Sequence, residues 1–319
     1  MNPNTPADSI KARLTAVLVG TAGTFALFAV SFVLPPLGFF TGLLAPFPVV
    51  YYRLRQGRGT AAVIFTLAGI ALTAVYSPNV GAIYLLQCGV IALLMPELLL
   101  RGYGAARTIA WTTGVSAALV AVVAVILTLV GNQDLQQALS GEISTSISRA
   151  LALYEKSGVK GDELSMVKKS MDMAAALLIR IYPSLVTILL GIMAGCNLAL
   201  IRRPAFLMGY RFPLGDFKDL RLPEPLVWIL IAAGFAMLAP SRFVTIPALN
   251  VLVVTTTLYF LQGLAVILTI TARQAFYSII RVFLWVMLLV QPYLAAIVAA
   301  IGIFDLWGDF RTPKKQENL

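Results

Sequence analysis

From Thr108 to Val130 the chain runs without a charged residue, and comparable apolar runs recur along its length, closed by arginine, proline or glycine. Runs of roughly 18 or more apolar residues are long enough to cross the hydrocarbon core of a bilayer. Within that core every backbone N–H and C=O must find its partner inside the protein, so unbroken apolar runs of this kind are helices. Composition agrees: 59% of residues are hydrophobic and 12% charged, against about 25% charged in an ordinary soluble domain.

Nine spans are expected, at about 13–34, 37–51, 60–76, 80–100, 107–130, 173–200, 226–240, 246–270 and 279–303. The count falls to eight if one segment among 226–303 is re-entrant. The fold class is therefore all-α: a polytopic transmembrane helix bundle of about 8–9 spans, forming one integral membrane domain over residues 1–319. The first run follows Asp8, Lys11 and Arg13, is longer than a signal-peptide core and lacks a small-residue cleavage site, so it reads as an uncleaved span. The second is unusual. Pro46 and Pro48 interrupt it, and Tyr51, Tyr52, Arg53, Arg55 and Arg58 follow. The prolines predict a structural break or gate there.

Basic residues set the orientation. Lys11, Arg13, Arg53, Arg55, Arg58, Arg101, Arg107, Arg202, Arg203, Arg211, Lys218, Arg221, Arg273 and Arg281 fall on one side of the expected spans. The short loops of the other side, at 35–36, 77–79 and 240–245, hold only Arg242. By the positive-inside rule the first side is cytoplasmic, with the N-terminus, in a bacterial inner membrane. Nine spans place the tail, with Arg311, Lys314 and Lys315, outside; a re-entrant segment would return it to the cytoplasm.

The long polar insertion at 131–172 then lies outside. Leu135, Leu139, Ile143, Ile147, Leu151 and Tyr154 recur at helical spacing, Gly158 and Gly161 interrupt, and Asp162 is placed to cap a second helix carrying Leu164, Val167 and Met171. An extracytoplasmic helical hairpin is expected, either on the membrane surface or as a lid.

The net charge of +10 sits between apolar runs and suits anionic lipid rather than nucleic acid. The chain has no histidine, and its two cysteines, Cys88 and Cys196, lie within apolar runs. With no paired intramembrane carboxylates, phosphate loop or zinc motif either, neither an enzyme nor a cofactor or metal site is expected.

Arg180 is the clearest charge inside a span, three residues before Pro183. It fits either an anion-binding group at an outward-facing cavity or a side chain snorkelling to the outer headgroups. Glu97 stands four residues before Arg101, the spacing of a local helix ion pair, with proton coupling as the alternative. Gln87, Asn197, Asn250, Gln262 and Gln291 are polar within spans and suit either interhelical hydrogen bonds or a ligand cavity. Gln262-Gly263 and Gln291-Pro292 are the stronger cavity candidates, because the glycine or proline also opens backbone groups.

The Pro46/Pro48 break with Tyr52-Arg53 and Gly57, the Gly215-Asp216-Phe217 to Leu222-Pro223 loop, Gln262-Gly263-Leu264-Ala265-Val266, and the stretch from Gly302 to Arg311 together resemble the YybS-like family of bacterial membrane proteins, which carries a domain of unknown function. That family is in turn distantly similar to the substrate-binding subunits of energy-coupling-factor vitamin transporters and to rod-shape envelope proteins. The resemblance implies a transporter-like protein binding a small polar or anionic solute, or a non-transporting membrane scaffold in cell-envelope assembly. Arg180, Gln262 and Gln291 are the ligand-binding candidates. The partners expected are the lipid bilayer, a small-molecule solute, and a membrane protein partner or separate energising subunit.

Overall fold

The computed structural model describes residues 6–130, 135–158, 160–272, 286–287, 290–291, 293–308 and 310–311. The first part of the expected ninth span, Arg273, Arg281, Lys314, Lys315 and most of the tail lie outside the described residues. Those described are helical almost throughout, with no strand among them. In order the helices are α1 (Pro6–Val33), α2 (Pro35–Leu43), α3 (Phe47–Gln56), α4 (Arg58–Val75), α5 (Pro78–Leu100), α6 (Ala105–Val130), α7 (Leu135–Lys156), α8 (Asp162–Leu207), α9 (Pro225–Ala236), α10 (Arg242–Thr271) and α11 (Tyr293–Gly308). A membrane helix bundle is the architecture. Within α1, Ile10–Ser31 is long and apolar enough to cross a bilayer, as are α4, α5, α6, α8 and α10, while α9 and α11 are shorter apolar helices.

The contacts divide the chain into two units: Met1–Asn132 with Leu189–Gly215, and Gln133–Ile188 with Asp216–Leu319. In the first unit, Val49, Ala61, Ile64 and Ala92 form a buried cluster from α3, α4 and α5, with Val17, Tyr52 and Phe65 packed against it. The rings of Phe28 and Phe65 lie 5.3 and 5.2 Å from that of buried Tyr84. The Ser77-Pro78 turn starts α5 as its residues dictate. Ser77 Oγ accepts from the Val80 N–H, and Pro78 takes a first-turn position where no N–H is needed.

The segment expected as one span at 37–51 is two short helices joined by a turn at 44–46. Pro46 precedes α3 with φ −69° and ψ −21°, and Pro48 lies in its first turn, so both prolines initiate a helix. Asn197 Nδ2 donates to the Leu43 carbonyl at 2.8 Å, satisfying a backbone group left open at the end of α2.

Helix α6 is inside out by the standards of a soluble protein. Thr108, Thr112 and Ser116, one turn apart, are buried, whereas Trp111, Val115, Leu119, Val122 and Ile126 are exposed. Small hydroxylated residues on the packed face and large apolar ones on the open face are what a helix needs when its solvent is lipid.

In the second unit α10 packs on α9 and α11. The α10–α11 approach is backbone to backbone: a Cβ at Gly263 would run into the Val298 carbonyl, and one at Gly302 into the Tyr259 carbonyl. The insertion forms α7 and the start of α8. Ile143, Ile147 and Leu151 are half-buried at helical spacing, as are Leu164, Val167 and Met171. The second helix of the insertion continues without interruption into the span, giving α8 46 residues. Such a helix is about 70 Å long, more than twice the hydrocarbon thickness. Pro183 lies inside it without ending it.

Candidate functional site

Two polar assemblies stand out, one in each unit. In the second unit the side chain of Gln262, on α10, is buried and fully engaged. Its Oε1 accepts from the Leu222 N–H at 2.9 Å, and its Nε2 donates to the Gly302 carbonyl at 3.0 Å and to Asp305 Oδ2 at 3.3 Å. Asp305 pairs with Arg311, whose Nε and Nη2 lie 3.0 and 2.9 Å from Oδ2, and the two side chains are only 2% and 7% exposed. Arg311 also donates to the carbonyls of Lys218 and Leu220 at 2.6 and 2.8 Å, and Thr269 Oγ1 donates to Lys218 as well. The result is a buried polar lock, in which Asp305 Oδ1 has no partner among the described residues. It joins α10, α11, the segment after α11 and the 216–222 loop with its short 3-10 turn at Phe217–Asp219. A buried ion pair survives because several further hydrogen bonds compensate its desolvation.

In the first unit the basic residues gather at one end. Glu97, near the end of α5, accepts from two arginines at once. Arg53 of α3 donates its Nε at 2.9 Å and its Nη2 to Oε1; Arg58, at the start of α4, donates Nε to Oε1 at 3.1 Å and Nη2 to Oε2. Arg53 is 13% exposed and Arg58 73%. The expected partner, Arg101, meets Glu97 only through the backbone, its N–H on the Glu97 carbonyl: among the described residues the helix-spacing ion pair gives way to two cross-helix pairs, which offer more donors to one carboxylate. Arg53, Arg58 and Arg101 line a cavity of about 340 Å³ with Glu97, Ala62, Leu93, Leu94 and Leu98.

A second cavity, of about 520 Å³, opens beside the end of α8 and is lined by Arg202, Arg203, Arg211, Phe206, Tyr210 and Phe212 among others. The turn that builds it is a helix stop. The Tyr210 N–H bonds the Ala205 carbonyl and Gly209 takes φ +88°, a left-handed value that favours glycine. The Tyr210 and Phe212 rings then stack at 5.3 Å and 14°. The Tyr210 hydroxyl donates to the Leu54 carbonyl at 3.0 Å, pinning this turn beside the arginines of α3. No acidic residue is among the described residues that line this cavity.

A family model described as "Predicted membrane protein (DUF2232)" matches residues 22–306. The chain belongs to this family. No curated protein and no solved structure matches it. The stretch matched to DUF2232 takes in Glu97, Gln262 and Asp305 and stops before Arg311.

The ligand candidates read from the sequence do not meet in one place. Arg180 is an exposed residue of α8. Its carbonyl accepts from Asn250 Nδ2 at 2.8 Å, while Asn250 Oδ1 accepts from the Ser184 N–H at 2.8 Å. Asn250 thus bonds both members of the backbone pair that spans Pro183. Gln262 belongs to the polar lock. Gln291 is exposed, its N–H bonded to the Met287 carbonyl at 2.8 Å. Pro46 and Pro48 form the α2–α3 junction, in the other unit from Arg180. Missed from the sequence were the double clamp on Glu97 and the role of Arg311. The signal for the first was three arginines within six residues, Arg53 to Arg58, facing a chain with few acids.

Proposed function

We propose that this DUF2232 protein is a transporter-like, multi-pass membrane protein that binds a small anionic solute at its basic end, in the cavity beside the end of α8. The observation that carries the reading is the convergence of Arg203 and Arg211 on one cavity with a stacked aromatic pair and no carboxylate among its described lining residues. Guanidinium groups match phosphate and carboxylate geometry, and aromatic faces add contact area for a ring. The likeness to vitamin-transporter binding subunits read from the sequence points the same way. The reading involves no catalysis.

In this proposal the basic end is cytoplasmic, in a bacterial inner membrane, with the N-terminus on the same side. Reporter fusions after residues 57 and 210 should both be active only as cytoplasmic reporters. A thermal-shift screen of the purified protein against phosphate esters, nucleotides and carboxylates tests the binding. Multiply charged anions should raise the unfolding temperature, and Arg203→Gln with Arg211→Gln should remove the shift. A shift that persists in that double variant rejects the site.

A scaffold in cell-envelope assembly is the second reading. It is favoured by the amides of Asn197, Asn250 and Gln262, each engaged in joining segments of the protein to one another. Recovery of a stoichiometric membrane partner, together with no anion-dependent shift, would favour it over the first.

A further inference from the structure

We propose that the cavity between α4 and α5 seats an anionic phospholipid, with its phosphate on Arg58 and Arg101 and one acyl chain along Ala62, Leu93 and Leu94. This site is separate from the cavity at the end of α8 and does not depend on the function proposed for it.

The charge is unbalanced: three arginines share the cavity with one carboxylate. Glu97 is committed to Arg53 and Arg58. Arg101 is exposed and makes no ion pair among the described residues. Arg58 is largely exposed even while paired, so its remaining donors face outward. Arg101 also follows the last turn of α5, where the open carbonyls of the helix favour a cation and leave it positioned at the end of the span.

The rest of the lining decides between a lipid and a soluble anion. Leu93, Leu94, Leu98 and Ala62 form an apolar wall, and Leu93 and Ala62 are exposed. Leu93 stands eight residues before Arg101 on the same helix, so the wall descends about 12 Å from the arginine level towards the bilayer centre. A free phosphate would leave that wall unused. A phospholipid matches both parts, an anionic headgroup at the basic mouth and hydrocarbon below it.

Native mass spectrometry of the full-length protein in neutral detergent, with phosphatidylglycerol and phosphatidylcholine of equal chain length, tests this. Phosphatidylglycerol should be retained at least about fivefold more strongly, and Arg101→Gln should lower that retention about fivefold, the scale expected of one basic residue at an anionic membrane surface. Leu93→Gln should weaken retention of the lipid without changing any effect of glycerol phosphate. Arg203→Gln with Arg211→Gln should leave phosphatidylglycerol retention unchanged. Thermal unfolding of each variant in the same detergent confirms folding; Arg101 makes no ion pair among the described residues whose loss would unfold the protein. Equal retention of the two lipids, no effect of Arg101→Gln, an equal effect of the Arg203/Arg211 substitutions, or displacement of the lipid by millimolar glycerol phosphate would each overturn the assignment.

Discussion

Asn250 holds Arg180 by its backbone carbonyl at 2.8 Å. The same amide accepts the N–H of Ser184 and also donates to Ile246 on its own helix at 2.9 Å. Pro183 removes one N–H from the helix ladder, and the amide of α10 bonds the neighbouring pair at that turn. Helices α8 and α10 are joined there within the second unit.

Substituting Asn250 should therefore matter more than substituting Arg180. Asn250→Ala should cost about 1–2 kcal/mol of stability, the upper range for interhelical hydrogen bonds in membranes. Arg180→Gln should change stability by less than about 0.5 kcal/mol, as for exposed positions generally. Thermal unfolding of the two variants in one detergent checks the order, and a reversed order would show that the guanidinium, not the carbonyl, is what α8 contributes.

The polar lock predicts strong non-additivity. Arg311→Ala leaves Asp305 buried without its counter-charge and should cost about 3–5 kcal/mol. Combining it with Asp305→Leu should restore part of the loss, since the uncompensated charge is removed. A double-mutant cycle by chemical unfolding measures the coupling; simple additivity would mean the two side chains act independently.

At the α10–α11 contact, Gly302→Ala should force the helices apart, because the added methyl meets the Tyr259 carbonyl. The cost should be about 1–3 kcal/mol, as for other overpacked sites. Gly234→Ala is the control: no described residue lies near its Cβ position, and that variant should be neutral or better. Both are read from unfolding temperatures.

Around Glu97, exposure ranks the two arginines. Arg58→Gln should cost little, because an ion pair whose arginine is this exposed is screened by solvent. Arg53→Gln removes the more buried partner and should cost more. Unfolding in low and high salt separates them further: the Arg58 contribution should fade with salt, and that of Arg53 should persist.

Much of the architecture is legible in the residues. Apolar runs, the Ser77-Pro78 turn and the Pro46/Pro48 break mark helices and their ends, because each acts through its own backbone. Asn197, Asn250 and Gln262 are also recognisable, since an amide in a span needs a partner. The partners themselves are not. Glu97 has Arg101 at ideal helix spacing, yet it pairs with Arg53 and Arg58, which arrive from other helices. Arg311 counts in the sequence as one more terminal charge, and only the fold reveals that it closes on Asp305. Arg180 draws attention through its charge, whereas the bond that joins α10 there uses its backbone.

The inside-out face of α6 bears on how the protein is made. The Ser116 hydroxyl donates to the Thr112 carbonyl of its own helix, and that of Thr108 to the Tyr103 carbonyl just before it. These two hydroxyls are served before any neighbour arrives, whereas the buried Thr112 hydroxyl between them has no partner among the described residues. Gln262 finds its partners only on other segments, at Leu222, Gly302 and Asp305. Helix α10 therefore completes this hydrogen bonding only once α11, some 40 residues further along the chain, has been made and docked against it.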